Sequence, residues 1–206
     1  MLGQTNYPRN PLDFYPTQPP STKALMSVPY VAERIAGSVV WEPCCGDGAI
    51  TQQITPHVGA TISTDIAAYE GFDPDALIDL LSLNRLSDLS DVHGVNLVPT
   101  GIITNPPYGD LAQPIIEKSI ELMREVDGFV MMMVRHEWDC ADSRTPLFAD
   151  HPAFAAKITL TFRPHWVVPK PGEKQGSPRF SYAWLVWDWQ KPAAAAPLQL
   201  YARRPR

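Results

Sequence analysis

The sequence predicts one α/β domain built on a doubly wound, mostly parallel β-sheet. Short strand-like segments alternate with helical segments through most of the chain, and this alternation favours parallel strands joined by crossover helices. The longest apolar run, residues 129–134, is continuous rather than alternating, which is typical of a strand covered on both faces. The length of 206 residues suits one domain with short tails.

Seven strands are predicted in this sheet, and the C-terminal one is expected to be antiparallel. Its side chains alternate between two faces, as in a strand. The predicted strands cover residues 38–42, 60–65, 76–78, 101–104, 129–134, 157–162 and 182–188. Helices are predicted from Ser21 or Thr22 to Ser27, after Pro29 to near Gly37, at 49–55 and at 113–125.

The domain itself is assigned to residues 21–189. Residues 1–20 are rich in Pro, Asn and Gln, and they are predicted to form an extended N-terminal arm. Within the domain, residues 163–181 combine prolines with basic residues and form a candidate target-contacting loop. Residues 190–206 are rich in Ala and Pro, and they are predicted to form a disordered basic tail.

Composition excludes several classes of protein. The three cysteines are too few for a disulfide framework, and no Cys/His spacing suits a metal, so we expect no structural metal. No apolar run approaches the ~18–20 residues that span a bilayer. The sequence shows no basic stretch followed by an apolar one, as in a secretory leader. We therefore expect no membrane partner and a cytoplasmic location.

Charge is distributed unevenly along the chain. Residues 1–134 carry 6 basic and 16 acidic side chains, whereas residues 135–206 carry 11 basic and 6 acidic ones. The overall net charge is −5. Such asymmetry can place a polyanion at one end of a molecule. An ordinary solvated surface is the alternative interpretation.

Acidic and glycine residues follow the first three predicted strands, where doubly wound sheets bind their ligands. Glu42 ends the first strand, and Gly46 and Gly48 lie in the turn behind it. Glycine allows positive φ and a close approach of a ligand to the backbone. Asp65, at the end of the second strand, suits a bidentate hydrogen bond to ribose hydroxyls. Asp79, at the end of the third strand, could accept from an adenine amino group.

The carboxylate of Glu42 indicates the type of ligand. It disfavours a pyrophosphate, and the turn from Gly46 to Thr51 lacks the third glycine of a dinucleotide fingerprint. It suits a cationic ligand, such as S-adenosylmethionine with its ammonium and sulfonium groups. The alternative is that the glycines only form a tight turn and that Asp65 caps a helix.

The tetrapeptide Asn105-Pro106-Pro107-Tyr108 follows the fourth predicted strand, which lies beside the first strand in this architecture. An exocyclic amine on adenine, cytosine or a carboxamide is a poor nucleophile because its lone pair is delocalised. The Asn105 side-chain oxygen and the Pro106 carbonyl can draw the amine hydrogens out of plane and localise the lone pair. The prolines stiffen the backbone and offer no N–H, and Tyr108 offers a face for stacking. The tetrapeptide therefore predicts methyl transfer to a planar amine, driven by positioning rather than by a strong base.

Together these motifs resemble the class I S-adenosylmethionine-dependent amino-methyltransferases. More closely, the chain resembles the small stand-alone adenine-specific DNA methyltransferases common in phages and prophages. The resemblance covers about residues 12–189. It rests on Asp13 to Thr17, Trp41-Glu42-Pro43 with Gly46-Asp47-Gly48, Asp65, Asp79, Asn105 to Tyr108, Arg144 with Leu147-Phe148, Arg163-Pro164, and Tyr182-Ala183-Trp184 with Val186-Trp187.

The resemblance implies a Rossmann-like fold with S-adenosylmethionine as the cofactor, and it implies roles for particular residues. Thr17 and its neighbours would close over the methionine part of the cofactor, and the Asn105 segment would hold the target base beside it. The implied cofactor-binding residues are Tyr15, Thr17, Glu42, Gly46, Gly48, Asp65 and Ile66 near the ribose, Asp79 and Leu80 near the adenine, and Asn105.

Larger relatives carry a separate target-recognition domain, and none fits in this length. Residues 163–181 are the candidate reader, because basic residues interleaved with an aromatic suit a strip that follows a nucleic-acid backbone beside a flipped base. A polar hairpin loop is the alternative. The candidate substrate contacts are Tyr108, Trp138, Arg144, Arg163, His165, Trp166, Lys170, Lys174 and Arg179.

The leading hypothesis is methylation of the adenine amine in DNA. The same chemistry on RNA adenine, DNA cytosine or a protein glutamine remains open, although family habit for an initial Asn favours adenine or glutamine. Glutamine enzymes of this type usually carry an extra helical domain ahead of the fold. A hypothesis of another class is a non-catalytic module that binds the cofactor or nucleic acid.

Overall fold

The computed structural model describes residues 14–91, 95–148, 150–166 and 176–205. Its centre is an eight-stranded sheet in the order β3-β2-β1-β4-β5-β7-β6-β8. The strands are β1 (Val39–Glu42), β2 (Ala60–Asp65), β3 (Ala76–Leu77), β4 (Gly101–Thr104), β5 (Phe129–Arg135), β6 (Phe154–Leu160), β7 (Tyr182–Asp188) and β8 (Leu198–Ala202). The helices are α1 (Pro19–Met26), α2 (Pro29–Ile35), α3 (Thr51–Ile54), α4 (Asp88–Asp91) and α5 (Ala112–Arg124).

Strand direction confirms the predicted fold class. Strands β1 to β5 pair in parallel, and β7 runs antiparallel to both β5 and β6. Strand β8 pairs in parallel with β6. The carboxyl ends of all strands except β7 therefore meet at one edge of the sheet, together with the amino end of β7. We call this the carboxyl edge.

The prediction of a disordered tail is wrong for residues 198–202, and the sheet has eight strands rather than seven. These residues alternate Leu198, Leu200 and Ala202 on one side of the strand, and Leu200 and Ala202 pack against the core. The short alternation was masked by the Ala/Pro-rich segment that precedes it. Pairing with five residues of β6 supplies the backbone hydrogen bonds that order this segment.

Helix α1 begins at Pro19, two residues before the earliest predicted start. Two prolines occupy its first turn, where a helix needs no backbone N–H and where the fixed φ of proline is already helical. Strand β6 also begins earlier than predicted, at Phe154, and its pairing with β7 contains an irregularity between Phe154 and Ala156.

The core lies on both faces of the sheet. Trp41, Trp184 and Trp187 are fully buried, and each indole N–H donates to an internal oxygen 2.7–3.3 Å away. Burying a large apolar ring while satisfying its one polar atom stabilises the fold and fixes the stacking of the layers. Among the described residues, no helix has the length and apolar character needed to cross a membrane.

Candidate functional site

A cavity opens at the carboxyl edge, beyond the ends of β1, β2 and β4. It encloses about 930 Å³ including the solvent at its mouth, which suits a ligand of nucleoside size. It brings together nine of the ten residues that the sequence proposed for the cofactor. These are Tyr15, Thr17, Glu42, Gly46, Asp65, Ile66, Asp79, Leu80 and Asn105.

The cavity lining is acidic. Glu42, Asp47, Asp65 and Asp79 contribute carboxyl groups, and no Lys, Arg or His stands among the described lining residues. Several carboxylates around one low-dielectric space attract cations and repel polyphosphates. The lining therefore favours a ligand that carries positive charge.

Glu42 is held by the start of α3. Its Oε2 accepts a 2.7 Å hydrogen bond from the Thr51 backbone N–H and a short one from the Thr51 hydroxyl, and its side chain is almost completely buried. Burial raises the pKa of Glu42 well above the ordinary glutamate range; the Thr51 hydrogen bonds oppose this rise, and the negative charges of Asp47 and Asp65 add to it. A cation placed beside Glu42 would relieve that penalty.

Of the two glycines in the turn, Gly46 lines the cavity and Gly48 does not. Both glycines have positive φ, of 53° and 73°. A side chain at Gly48 would collide with Phe72, which lies 2.4 Å from the expected Cβ position, so this glycine is needed for packing behind the turn. Gly48 does not line the cavity, and its contact with a cofactor stays a prediction. At Gly46 the covering ring is Phe14, which stacks on Tyr69 at a centroid distance of 4.1 Å.

Asp65 supports the same turn. Its Oδ2 accepts from the Gly46 backbone N–H at 2.8 Å, and its Oδ1 accepts from Ala67 at 3.3 Å. Burial raises the pKa of Asp65 against these backbone hydrogen bonds. Each carboxylate oxygen has two lone pairs, so a hydroxyl donor in the cavity remains compatible with both contacts.

The mouth of the cavity is flat and apolar on one side. Ile66 is 55% exposed there, an unusual exposure for an isoleucine. Asp79, which follows the neighbouring strand β3, accepts from the Leu81 N–H at 2.9 Å and is exposed. Both residues line the cavity, and an apolar side chain together with a carboxylate suits a planar heterocycle that carries an amine.

Asn105 occupies the end of β4 with both ends of its amide engaged. Its Nδ2 donates to the Thr17 hydroxyl oxygen at 3.1 Å, and its Oδ1 accepts from the Tyr108 hydroxyl at 3.0 Å. Pro106 and Pro107 line the cavity beside it. The Asn105 amide is therefore held between the hydroxyls of Thr17 and Tyr108.

Tyr108 belongs to a group of four rings. Its centroid lies 6.3 Å from Tyr15, 6.2 Å from Trp166 and 6.2 Å from Tyr182. Burial, followed by the effect of Tyr182, raises the pKa of Tyr108 well above its usual value, so the hydroxyl stays neutral and acts as a hydrogen-bond donor. We call Tyr15, Tyr108, Trp166 and Tyr182 the aromatic group.

Trp138 and Arg144 lie away from the aromatic group. The Arg144 guanidinium stacks 4.2 Å from the Trp138 ring and donates to the Trp138 carbonyl at 2.7 Å and to Gln113 at 3.3 Å. The Trp138 ring also packs edge-on against Phe148. These contacts tie the loop after β5 to α5, and the pair does not line the cavity.

The remaining proposed substrate contacts follow β6 or precede β7. Arg163 and Arg179 are exposed, and His165 is half-buried. Lys170 and Lys174 lie outside the described residues.

Sequence reasoning overlooked several residues of the site. Asp47 lies between the two glycines of the turn and belongs to no motif of its own. Thr51 stands where a dinucleotide fingerprint has its third glycine, and that position gives no sign of its contact with Glu42. Arg135 ends β5 and lies 3.9 Å from the Phe180 ring. Its position at the carboxyl end of a parallel strand beside β4 was a usable signal. The ring of Tyr69, by contrast, comes from an irregular loop that no periodicity marks.

The other reactive side chains offer no competing chemistry. Burial raises the pKa of the Cys44 thiol and of the Cys45 thiol, so both stay protonated and are poor nucleophiles. Across the described ranges, no group of three or more His, Cys, Asp and Glu side chains is placed to hold a metal ion.

The sequence matches no protein-family profile and no curated protein. Solved structures do share the fold. A candidate RNA methyltransferase of Pyrococcus horikoshii has a TM-score of 0.60 at 16% identity, and the match covers 91% of this chain and 93% of that one. A candidate class I S-adenosylmethionine-dependent methyltransferase of Listeria monocytogenes has a TM-score of 0.52 at 14% identity, with 91% and 66% covered.

The methyltransferase subunit of a type I restriction-modification system from Streptococcus thermophilus has a TM-score of 0.54 at 10% identity, with 86% of this chain and 45% of that subunit covered. This chain therefore spans about two thirds of the Listeria protein and less than half of the Streptococcus subunit. At these identities the likeness establishes the fold. It confirms the Rossmann-like architecture that the motif resemblance implied.

Proposed function

We propose that this protein transfers a methyl group from S-adenosylmethionine to the exocyclic amine of adenine in DNA. The observation that carries the proposal is the placement of the Asn105 amide. It stands at the end of an acidic cavity and is held by hydrogen bonds to the hydroxyls of Thr17 and Tyr108. The three solved structures named above, each described as a methyltransferase, support the same class of reaction.

The acidic cavity fits the cofactor. Glu42 would hold the methionine ammonium, and Asp65 would accept from the ribose hydroxyls. Ile66 and Asp79 would hold the adenine by stacking and by a hydrogen bond to its amine. When bound, the cofactor supplies an electrophilic methyl group on a sulfonium. The surrounding carboxylates make the cavity electrostatically favourable for that cation.

Asn105 and Pro106 would prepare the target amine. Their two oxygens accept from the two amine hydrogens, which draws the nitrogen lone pair out of conjugation and towards the methyl donor. The Tyr108 hydroxyl occupies Asn105 Oδ1 in the ligand-free state, so the target amine replaces it on binding. As the new nitrogen–carbon bond forms, the carbon–sulfur bond of the donor would break and leave a neutral thioether. The methylated nitrogen would then lose its extra proton to solvent, because the raised pKa of Tyr108 keeps that hydroxyl a neutral donor. Asn105 and Pro106 would therefore act mainly by positioning the amine.

Adenine in DNA is favoured among the planar amines by the surroundings of the site. The aromatic group offers faces for a purine, and exposed arginines border it. Adenine in RNA is the second candidate, favoured by the fold match to the Pyrococcus candidate RNA methyltransferase. Cytosine in DNA and glutamine in a protein are open to the same reaction, but fewer features of the site favour them.

The direct test is incubation of the full chain with labelled S-adenosylmethionine and, separately, with DNA, RNA and protein. Mass spectrometry of the digests then identifies the modified unit. N6-methyladenine in DNA alone is the expected result. Label in RNA or in glutamine would reassign the substrate, and cofactor binding by calorimetry without transfer to any of them would make the protein a non-catalytic module.

Replacing Thr17 by Val should slow transfer because the Asn105 amide loses the partner that orients it. One neutral hydrogen bond contributes about 0.5–1.5 kcal/mol, so kcat should fall roughly 2- to 13-fold. The KM for DNA should stay nearly constant. Thr17→Ser keeps the hydroxyl and should restore kcat.

The two variants separate orientation from packing. Steady-state kinetics with both, together with their urea unfolding curves, is the measurement. If Thr17→Ser is as slow as Thr17→Val, or if both lose stability equally, the residue acts through packing and not through Asn105.

A further inference from the structure

We propose that a row of arginines along the carboxyl edge forms a track for the phosphate backbone of DNA, leading from Asn105 out to the last strand, β8. This inference rests on the proposed function for its starting point, and it assigns residues that the cofactor site and the aromatic group do not include. We call the row the arginine track. Its members are Arg135, Arg163, Arg179, Arg203 and Arg204.

The sheet order places these residues in a line. From β4 outwards the strands are β5, β7, β6 and β8. The track follows the same order, because Arg135 ends β5, Arg179 precedes β7, Arg163 follows β6, and Arg203 and Arg204 follow β8. Neighbouring strands lie about 4.8 Å apart, so Asn105 at the end of β4 is about 19 Å from the end of β8.

Contacts between the strand ends keep the inner members together. Arg135 is the register partner of Tyr182, and the following residue, His136, donates its backbone N–H to Ser181 at 3.0 Å. The Arg135 guanidinium also lies 3.9 Å from the Phe180 ring, next to Arg179 in sequence. Arg135 and Arg179 thus flank the amino end of β7, which lies one strand further out than β5.

The outer members are tied to β6 by a separate contact. The Ala202 carbonyl accepts from the Thr161 backbone N–H at 3.0 Å and from the Thr161 hydroxyl at 3.3 Å. Ala202 immediately precedes Arg203, and Thr161 lies two residues before Arg163. The eighth strand therefore delivers Arg203 and Arg204 beside Arg163 rather than leaving them on a free tail.

The track is available for a partner. All five arginines are exposed, and none forms an ion pair within the ranges that the structure describes. Acidic residues also lie in the loop after β5, beside Arg135. There, Asp139 is neutralised by Lys157 at 2.7 Å, while Glu137 and Asp142 are exposed. The five cations therefore outnumber the two carboxylates left free in that loop.

The length of the track matches a polyanion rather than a small ligand. Each DNA strand presents one phosphate per 3.4 Å of helix axis, so about 19 Å corresponds to roughly five or six phosphates on one side of the target base. Backbone contacts of this kind set register and orientation without reading sequence. The track thus accounts for how a chain of this size could hold DNA through β8.

The test compares two double variants of equal charge. Arg203→Gln/Arg204→Gln removes the outer end of the track. Arg124→Gln/Lys191→Gln removes two positive charges at the opposite edge, because Arg124 precedes β5 and Lys191 follows β7. Binding of a labelled mixed-sequence DNA duplex of about 24 base pairs is followed by fluorescence anisotropy at several salt concentrations, since phosphate contacts determine the salt dependence.

For the track variant, the slope of the logarithm of the DNA-binding constant against the logarithm of salt concentration should be less steep by about 1.8. Each duplex phosphate contact contributes about 0.9 to that slope. The opposite-edge variant should keep the wild-type slope. In a methylation assay the track variant should raise the KM for DNA and retain kcat at saturating DNA. The proposal would be overturned by equal slopes for the two variants. It would also be overturned if the track variant showed a less steep salt dependence with duplex RNA but not with duplex DNA.

The result is separable from that of the proposed function. If the wild-type chain methylates adenine in DNA but the two variants bind alike, only the track is wrong. If the slope falls as expected and no methyl group is transferred to any substrate, the track stands and the catalytic assignment fails.

Discussion

Replacing Asn105 by Ala should reduce methyl transfer by at least about 100- to 1000-fold, which is the loss typical of removing one preorganised polar partner from an active site. The Asn105 side-chain oxygen is the acceptor that the proposed chemistry requires, and alanine leaves only the Pro106 carbonyl. A single acceptor engages one amine hydrogen, so the lone pair stays largely in conjugation. The measurement is single-turnover transfer of labelled methyl to DNA.

The same variant should keep most of its affinity for the cofactor. Asn105 borders the cavity, but Glu42 and Asp65 provide its charged groups. Calorimetric titration with S-adenosylmethionine should therefore give a Kd close to that of the wild type. Asn84→Ala makes the same chemical change on an exposed loop and serves as the control. Transfer at the wild-type rate by Asn105→Ala would rule out the mechanism.

Replacing Glu42 by Gln should stabilise the ligand-free protein while weakening the cofactor complex. The glutamine keeps an oxygen that can accept from Thr51, and it removes a buried charge. A hydrogen bond to a charged group contributes about 1.5–3 kcal/mol, so the Kd for S-adenosylmethionine should rise about 13- to 160-fold. Calorimetry measures this change directly.

The gain in stability should depend on pH in a defined direction. The folded-state pKa of Glu42 is raised above its unfolded value, mainly by burial. The contribution of the Glu42 carboxyl group to the stability of the wild-type protein is therefore fully present below the ordinary glutamate pKa. It is lost as pH rises through the folded-state pKa. Glu42→Gln has no such loss, so the difference in the free energy of unfolding between the two proteins should grow with rising pH.

Urea unfolding at a series of pH values tests this difference, because the other titrating groups are common to both proteins. Glu33→Gln removes an exposed carboxylate and should leave both stability and cofactor affinity unchanged. A wild-type protein that stays as stable as Glu42→Gln at every pH would mean that the Glu42 carboxylate is not penalised by its surroundings.

The strong local patterns were enough to predict the inner part of the sheet. The strands at 60–65, 101–104 and 182–188 were placed with the bounds that the structure has. Each is short, rich in β-branched or aromatic residues, and bounded by turn-forming residues. The cavity followed from these strands, since Glu42, Asp65 and Asn105 stand at strand ends that parallel pairing brings together.

The parts that were missed depend on contacts distant in sequence. Strand β8 consists of five residues after a Pro/Ala-rich segment, and its order comes from pairing with β6. The Phe72 ring packs closely against Gly48, a contact that no spacing rule foresees. The hydrogen bond between Thr17 and Asn105 joins residues 88 positions apart. Local propensity carries no information about such pairs.

The position of β7 between β5 and β6 has a consequence for synthesis on the ribosome. Both neighbours are made first, and each leaves a row of backbone N–H and C=O groups unpaired until Tyr182–Asp188 emerges. At about 5–20 residues per second, the roughly 46 residues between β5 and β7 take several seconds to translate. Until Tyr182–Asp188 is made, the edges of β5 and β6 that face β7 therefore stay open, and β6 stays open on its other side until β8 is made.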